Sequence, residues 1–332
     1  MDNIDVVITW VDGNDPEWRK IKIENEKQIK GIDYSSNSNE RYRDWDNLQY
    51  LFRGIEKFMP WVHKVHLVTW GHLPKWLNTD YDKLNVVRHE DFIPEKYLPT
   101  FNSNTIELNL FRIPGLAEKF INFNDDMFVI GRTKSDDFFE ENLPKDMAVL
   151  SPAPCIRDAM CCIEANNFGI INDYFSIDDI RKNWKKWISH KYGKYIVRTL
   201  VFSRFKTILG IYEPHIPFSH LKTTMETVWS KEYNVLDNTS KNKFRTRDDV
   251  NEWLFRHWQI MTGQFKPRRW DFGVLMSVAK REQDIINLLN NPGKTKLICI
   301  NDTSDLKNFE VAKKRINLAL NNLLPEKSNF EK

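Results

Sequence analysis

The sequence predicts an α/β fold: a mostly parallel sheet flanked by helices, with a helical insertion or lid. Three observations point to it. Short apolar runs recur along the chain, helical patterns alternate with the early ones, and from about residue 175 to 290 the composition turns helical and rich in Trp and Lys. Strands alternating with helices favour parallel pairing in a sheet covered on both faces.

The apolar runs are IDVVITW (4–10), VHLVTW (65–70), NVVRH (85–89), KFINFN (119–124), DMAVL (146–150) and KLICI (296–300). After Asp44, which suits an N-cap, Leu48, Leu51, Phe52, Ile55 and Phe58 recur at helical spacing until Pro60 stops them. A second short helix is expected over 104–112, closed by Pro114 and Gly115. A third is expected to begin near Thr246, with Asp249 three residues on as in a capping box. Its buried stripe would be Val250, Trp253, Leu254, His257 and Met261, ending at Gly263. The last helix is expected over 304–324, with Leu306, Phe309, Ile316 and Leu320 facing inward. The strand before it is expected to rejoin the first sheet. The division that follows is an α/β core (1–150), a mainly helical insertion (151–290) and a C-terminal strand and helix returning to the core (291–332). Residues 31–40, GIDYSSNSNE, read as a mobile polar loop.

Bulk properties narrow the function. A chain of 332 residues can build one large core, or a core and a smaller lobe. Its 49 basic and 46 acidic residues leave a net charge of +3, spread along the chain, which argues against a nucleic-acid partner. The KPRR run ending at Arg269 reads as a solvated loop. Most of the 12 Trp suit packing, although Trp also stacks on sugar faces. The opening MDNIDVVITW lacks the basic start and cleavage site of a signal peptide. No apolar run approaches the ~18–20 residues that span a bilayer. The four Cys (155, 161, 162 and 299) show neither metal nor disulfide-framework spacing, so reduced thiols and a cytoplasmic setting are expected.

Ligands of open α/β sheets bind beyond the carboxyl ends of the strands. Three strand ends are acidic here: Asp12-Gly13-Asn14-Asp15, Asn124-Asp125-Asp126 and Asn301-Asp302. Asn, Asp and Gly also make ordinary turns. Adjacent carboxylates repel, however, and gain nothing unless a cation or hydrogen-bond donors neutralise them. Hard divalent cations prefer such oxygens, so a metal-bridged diphosphate is the sharper reading. Basic groups to balance the phosphates would come from Arg41, Arg43, Arg112 and Arg245. Arg245 stands before an expected helix N-terminus, where phosphate binds. In YEPHIPFSH, His215 lies between Pro214 and Pro217, a stiff setting suited to a positioned base; an incidental loop histidine is the alternative.

The longer motifs resemble the Stealth family. IDVVITWVDGNDPEW is similar to its first conserved region. The segment from RYRDWDNLQYLF through LPTFNSNTIELNLFRIPGLAEKFINFNDDMFV resembles the second. HIPFSHLKTTME resembles the third and KLICINDTSD the fourth. The blocks follow the family order and span nearly the whole chain. The resemblance implies a nucleotide-diphospho-sugar transferase-like fold and transfer of a sugar 1-phosphate from a UDP-sugar, UDP-N-acetylhexosamine among the candidates, to a hydroxyl, with release of UMP. The compact chain resembles the family's bacterial capsular and exopolysaccharide members more than its lysosomal-enzyme N-acetylglucosamine-1-phosphotransferase.

Carried onto this sequence, the resemblance implies Asp125 and Asp126 at a Mg²⁺ or Mn²⁺ ion, His215 as base, and Arg245, Arg112 and Asp302 in the catalytic set. Arg247 rivals Arg245. Trp10, Asp12, Gly13, Arg41, Asp44, Asn104, Asn124 and Asn301 would contact the donor, with Arg41 and Asp44 favoured over Arg43. The implied partners are the UDP-sugar donor and a polysaccharide or oligosaccharide acceptor, with peripheral association with membrane-bound assembly enzymes at the inner face of the cytoplasmic membrane. Two alternatives stay open: a metal-dependent glycosyltransferase releasing UDP, and a non-catalytic carbohydrate-binding protein.

Overall fold

The computed structural model describes residues 3–29 and 42–332, so the expected polar loop 31–40 and Arg41 lie outside the described residues. In chain order the strands are β1 (Ile4–Thr9), β2 (Val65–Thr69), β3 (Leu84–Arg88), β4 (Lys119–Asn124), β5 (Met127–Val129), β6 (Phe139–Glu140), β7 (Leu143–Asp146), β8 (Phe218–Leu221), β9 (Lys266–Pro267), β10 (Gly273–Ser277) and β11 (Leu297–Asn301). Five of them form the central sheet in the order β3-β2-β1-β4-β8. Its first four strands are parallel, and β8 closes the edge antiparallel to β4. The α/β class is the one the sequence predicts.

Alternation along the strands explains why the sheet is covered on both faces. Val6 and Ile8 of β1, with Ile121 and Phe123 of β4, pack into one core with Leu51 and Phe52 of the helix Leu48–Phe58. Val7 and Phe120 point the other way, into a second core with Ile171, Leu254 and Phe255. Successive side chains of a strand face opposite sides, so a run of consecutive apolar residues serves two layers at once.

The final strand departs from expectation. β11 does not rejoin the central sheet; it pairs parallel with β10 and antiparallel with β5 in a separate three-stranded sheet. The reason is topological: β1 and β8 already occupy both edges of β4. The chain leaves β4 through Asp125-Asp126 and enters β5 at once, and β5 offers the unpaired edge that β11 takes. The middle of the chain also supplies β8, β9 and β10, so it contributes strands to three sheets as well as helices.

Several boundaries shift. DMAVL gives only the end of β7; Leu150 then makes a lone bridge to Ile211. The second helix is α-helical over Ser103–Leu108 and tightens to a 3₁₀ turn at Leu110–Arg112. The third runs Trp253–Met261 rather than from Thr246, because the Thr246 N–H and hydroxyl donate to Asp249 and close a turn. The last helix runs Phe309–Leu323.

One buried ion-pair network ties the middle segment to the core. The wholly buried Arg256 donates from Nε and Nη2 to Asp146 at 2.8 and 2.9 Å and from Nη1 to Glu213 at 2.7 Å. Burial pushes the Asp146 carboxyl up, but Arg256 and Arg268 more than offset this and hold it below its usual range. Replacing Arg256 with Met takes from Asp146 its hydrogen-bonded counter-charge and from Glu213 its charged donor, so Arg256→Met is expected to cost about 3–5 kcal/mol. Urea denaturation would measure it, and a loss under about 1 kcal/mol would show the network is not structural.

Candidate active site

A cleft of about 470 Å³ opens where β1, β4 and β11 end. Among its lining residues are the sequence-predicted Trp10, Asp44, Asn104, Asn124, Asp125, Asp126, His215, Arg245, Asn301 and Asp302. A second hollow, about 520 Å³ and lined by Tyr174, Trp258, Lys231 and several threonines, contains no carboxylate and none of these residues.

The acidic doublet occupies the turn between β4 and β5, where the two sheets part, and Ile300 of β11 donates its N–H to the Asp126 carbonyl at 2.8 Å. Asp125 is open to the cleft yet closely surrounded by protein, so it faces a ligand-sized space rather than bulk water. Its carboxyl is pushed up to about 7, first by burial, then by Asp126 and Asp44. Burial also raises Asp126, and nearby His215 partly offsets this. The Cys299 thiol donates to Asp126 Oδ2 at 3.3 Å, while the buried Oδ1 has no hydrogen-bond partner among the described residues. Ligating atoms of Asp126, His215 and Cys299 lie within 4.8 Å of one another.

These residues fit a divalent cation. The group combines mutual repulsion, raised carboxyls and an orphaned buried oxygen, all of which a cation would relieve. The Cys299 thiol is held well above its usual range by burial and the two aspartates. With Asp125 beside this group, the donors on offer are carboxylate oxygens, one imidazole nitrogen and one thiol, a set able to hold a divalent cation.

His215 adopts a left-handed backbone conformation, φ 48°, and its ring meets Trp253 edge-on at 6.0 Å. A non-glycine residue holds such a geometry only where its surroundings impose it. Two residues earlier, Glu213 accepts from Arg256 and shares a 2.5 Å hydrogen bond with His257, which anchors the loop. Of the rival arginines, Arg245 lines the cleft and donates to Ser103 Oγ, whereas Arg247 is exposed and does not line it. The helix expected just after Arg245 begins eight residues later, so its N-terminus does not follow Arg245 directly along the chain.

Other expectations change. Arg112 does not reach the cleft: it is exposed, donates to Asn109 and lies over the Trp229 ring at 4.9 Å. The 3₁₀ turn at Leu110–Arg112 is what turns it outward. Asp302 lines the cleft, but its carboxylate is gripped by Arg43 at 2.7–2.9 Å and by Trp45 Nε1 at 3.1 Å. Arg43, less favoured than Arg41 by sequence, is therefore the arginine that holds the β11 end. Asp12 and Gly13 do not line the cleft. Asp12 accepts from Asn14 N–H as in a turn, and its own N–H donates to His72 Nε2. Gly13 is needed for close approach, since a Cβ there would fall 1.8 Å from the Tyr42 carbonyl oxygen. The segment it packs against carries Arg43 and Asp44 into the cleft. Asn104 lends its amide to Asp249 at 3.2 Å, and Asn124 accepts from the Thr9 hydroxyl at 3.4 Å.

Sequence reasoning passed over Glu107, Glu252, His89 and Cys299. Glu107 and Glu252 are buried carboxyls, and His89 is a buried imidazole with no hydrogen-bond partner among the described residues; all three line the cleft. Glu107 had a signal: it lies on the inward stripe of a short helix beside Ile106 and Leu108, where a charge is out of place.

The crowding has a measurable sign. Asp125 binds its proton up to about pH 7 when folded and only to about 3.9 when unfolded, so the stability this proton lends is lost as pH rises across that window. In metal-free buffer at about pH 8, Asp125→Asn is expected to melt higher than the parent, with the difference shrinking towards about pH 5. Adding Mg²⁺ or Mn²⁺ is expected to raise the parent's melting temperature and not the variant's; equal melting at high pH would refute the crowding.

Comparison with known proteins bears on this cleft. Residues 2–29 match the model for Stealth protein conserved region 1 and residues 41–147 that for conserved region 2. A capsular polysaccharide phosphotransferase, WcwK of Streptococcus pneumoniae, is 43% identical over 100% of this chain and 99% of its own length. The receptor polysaccharide phosphotransferase WefC of Streptococcus gordonii is 41% identical over the same shares. Among solved structures, the galactosyltransferase LgtC aligns over 98% of both chains at 10% identity and a TM-score of 0.40. With end-to-end similarity to such relatives and two matched conserved regions, the chain belongs to the Stealth family.

Proposed function

We propose that this protein transfers a sugar 1-phosphate from a UDP-sugar to a hydroxyl of a growing capsular or exopolysaccharide, forming a phosphodiester and releasing UMP. The carrying observation is that Asp125 and Asp126 share one cleft with His215, an imidazole held by an imposed backbone conformation against the second carboxylate. The printed names of the relatives, both polysaccharide phosphotransferases, support the same reading.

In the mechanism, His215 accepts the proton of the acceptor hydroxyl, and that oxygen attacks the sugar-bearing phosphorus. The new P–O bond forms as the bond to UMP breaks. Arg245, fixed through Ser103, neutralises charge on the phosphoryl oxygens. A divalent cation on Asp125 and Asp126, when bound, would screen the diphosphate. Arg43 holds Asp302, and with it the end of β11, against the cleft wall. No described helix is long and apolar enough to cross a membrane.

The nucleotide released tests the reaction. Incubation with a panel of UDP-sugars, an acceptor glycan and Mg²⁺ is expected to give UMP; UDP would mean attack at the anomeric carbon and overturn the proposal. His215→Ala is expected to lower transfer about 10²- to 10⁴-fold with its melting temperature kept. Near-parental turnover in that variant would remove His215 from the role of base.

A further inference from the structure

Two carboxyls of the cleft have no part in the mechanism above. Glu107 lies on the helix Ser103–Leu108, and Glu252 immediately precedes the helix Trp253–Met261. They are 5% and 7% exposed, both line the cleft, and Glu252 lies close enough for its charge to act on Glu107. Burial, first, and then the neighbouring Glu252 raise the Glu107 carboxyl well above its usual range.

A carboxylate that serves only the fold is treated differently nearby. Asp249, wholly buried, accepts from Asn102, Asn104 and Asn242 and from both the N–H and the hydroxyl of Thr246. Glu252 Oε2 has no such donor among the described residues. A buried acceptor without a donor costs about 1–3 kcal/mol, so a purely structural pair would be a poor solution. The missing donor is one a ligand can bring.

We propose that Glu107 and Glu252 form the sugar-recognition element of the cleft, taking neighbouring hydroxyls of the transferred sugar. Two carboxyl groups side by side offer several acceptor oxygens, one of them lacking a donor, and a vicinal diol brings two adjacent hydroxyl donors to meet them. An anionic group would be repelled, which excludes phosphate as the occupant. The sugar is the donor's rather than the acceptor's because Glu107 lies within electrostatic reach of both Asp126 and Arg245, the groups assigned to the diphosphate to which that sugar is directly bonded. This inference rests on the nucleotide-sugar reading above.

The test separates the two. Equilibrium binding in Mg²⁺ compares UDP with a panel of UDP-hexoses and UDP-N-acetylhexosamines, for the parent, Glu107→Gln and Glu252→Gln, each checked for folding by its melting curve. A second arm compares hexose 1-phosphates with inorganic phosphate, reading sugar recognition without any nucleotide. The parent is expected to bind one UDP-sugar and its sugar 1-phosphate more tightly than UDP and phosphate. Both variants are expected to lose about 10- to 100-fold for the sugar-bearing ligands, with UDP changed less than about twofold. The proposal is overturned if the parent gains nothing from the sugar, if UDP and UDP-sugar weaken together, or if only the KM for the acceptor glycan rises. Failure of UDP to bind the parent, with the sugar 1-phosphate arm intact, would strike the nucleotide reading and leave the carboxyl pair supported.

Discussion

Burying the Arg256 guanidinium is tolerable only because Asp146 and Glu213 face it, and that requirement brings together three distant pieces of chain. Asp146 ends β7, Glu213 belongs to the loop that carries His215, and Arg256 belongs to the helix that begins after Glu252. A charge taken out of water must find its partners with good geometry, or the fold pays several kcal/mol. The same constraint that neutralises Arg256 therefore sets where the imidazole and one of the two sugar-facing carboxyls stand. Phe218 lies 4.9 Å from the guanidinium, so the ion pair is also sealed from solvent by its own neighbours.

The cleft inverts this logic. Around Arg256 opposite charges are matched; at the turn between β4 and β5, like charges are gathered. Asp126 and Asp44 both raise Asp125, and Asp126 keeps one oxygen without a donor among the described residues. A fold stabilised elsewhere can hold such a cluster in place, and the repulsion is the affinity a cation would draw on. Only two residues separate β4 from β5, so the aspartates cannot move apart without unpairing a strand of one sheet or the other.

Much of this was legible in the sequence, for identifiable reasons. β4 stands where KFINFN was read, because five consecutive buried residues with a period-two choice of faces admit little else. The acidic strand ends were legible too, since turn residues give no reason to place two carboxylates together. The arginines were harder. Arg112 and Arg245 look equally suited to phosphate in the sequence, and a 3₁₀ turn sends one out over Trp229 while Ser103 fixes the other in the cleft. Asp12-Gly13 reads as a ligand loop, yet the glycine serves the Tyr42 backbone and Asp12 closes a turn.

The sequence by itself determined β1 to β4, β11 and several of the helices, and that Asp125, Asp126, Asn301 and Asp302 cap strand ends, because burial period and turn chemistry act over a few residues. Tertiary structure alone decided the partner of each strand and the pairing of each charge. β11 joins β5 and β10 because β1 and β8 already flank β4, a fact about occupied edges that no local pattern carries. Glu107 meets Glu252 across 145 positions of chain, and Arg43 meets Asp302 across 259. Such pairs depend on how whole layers stack, and their energy is expressed only once the sheets have closed around them.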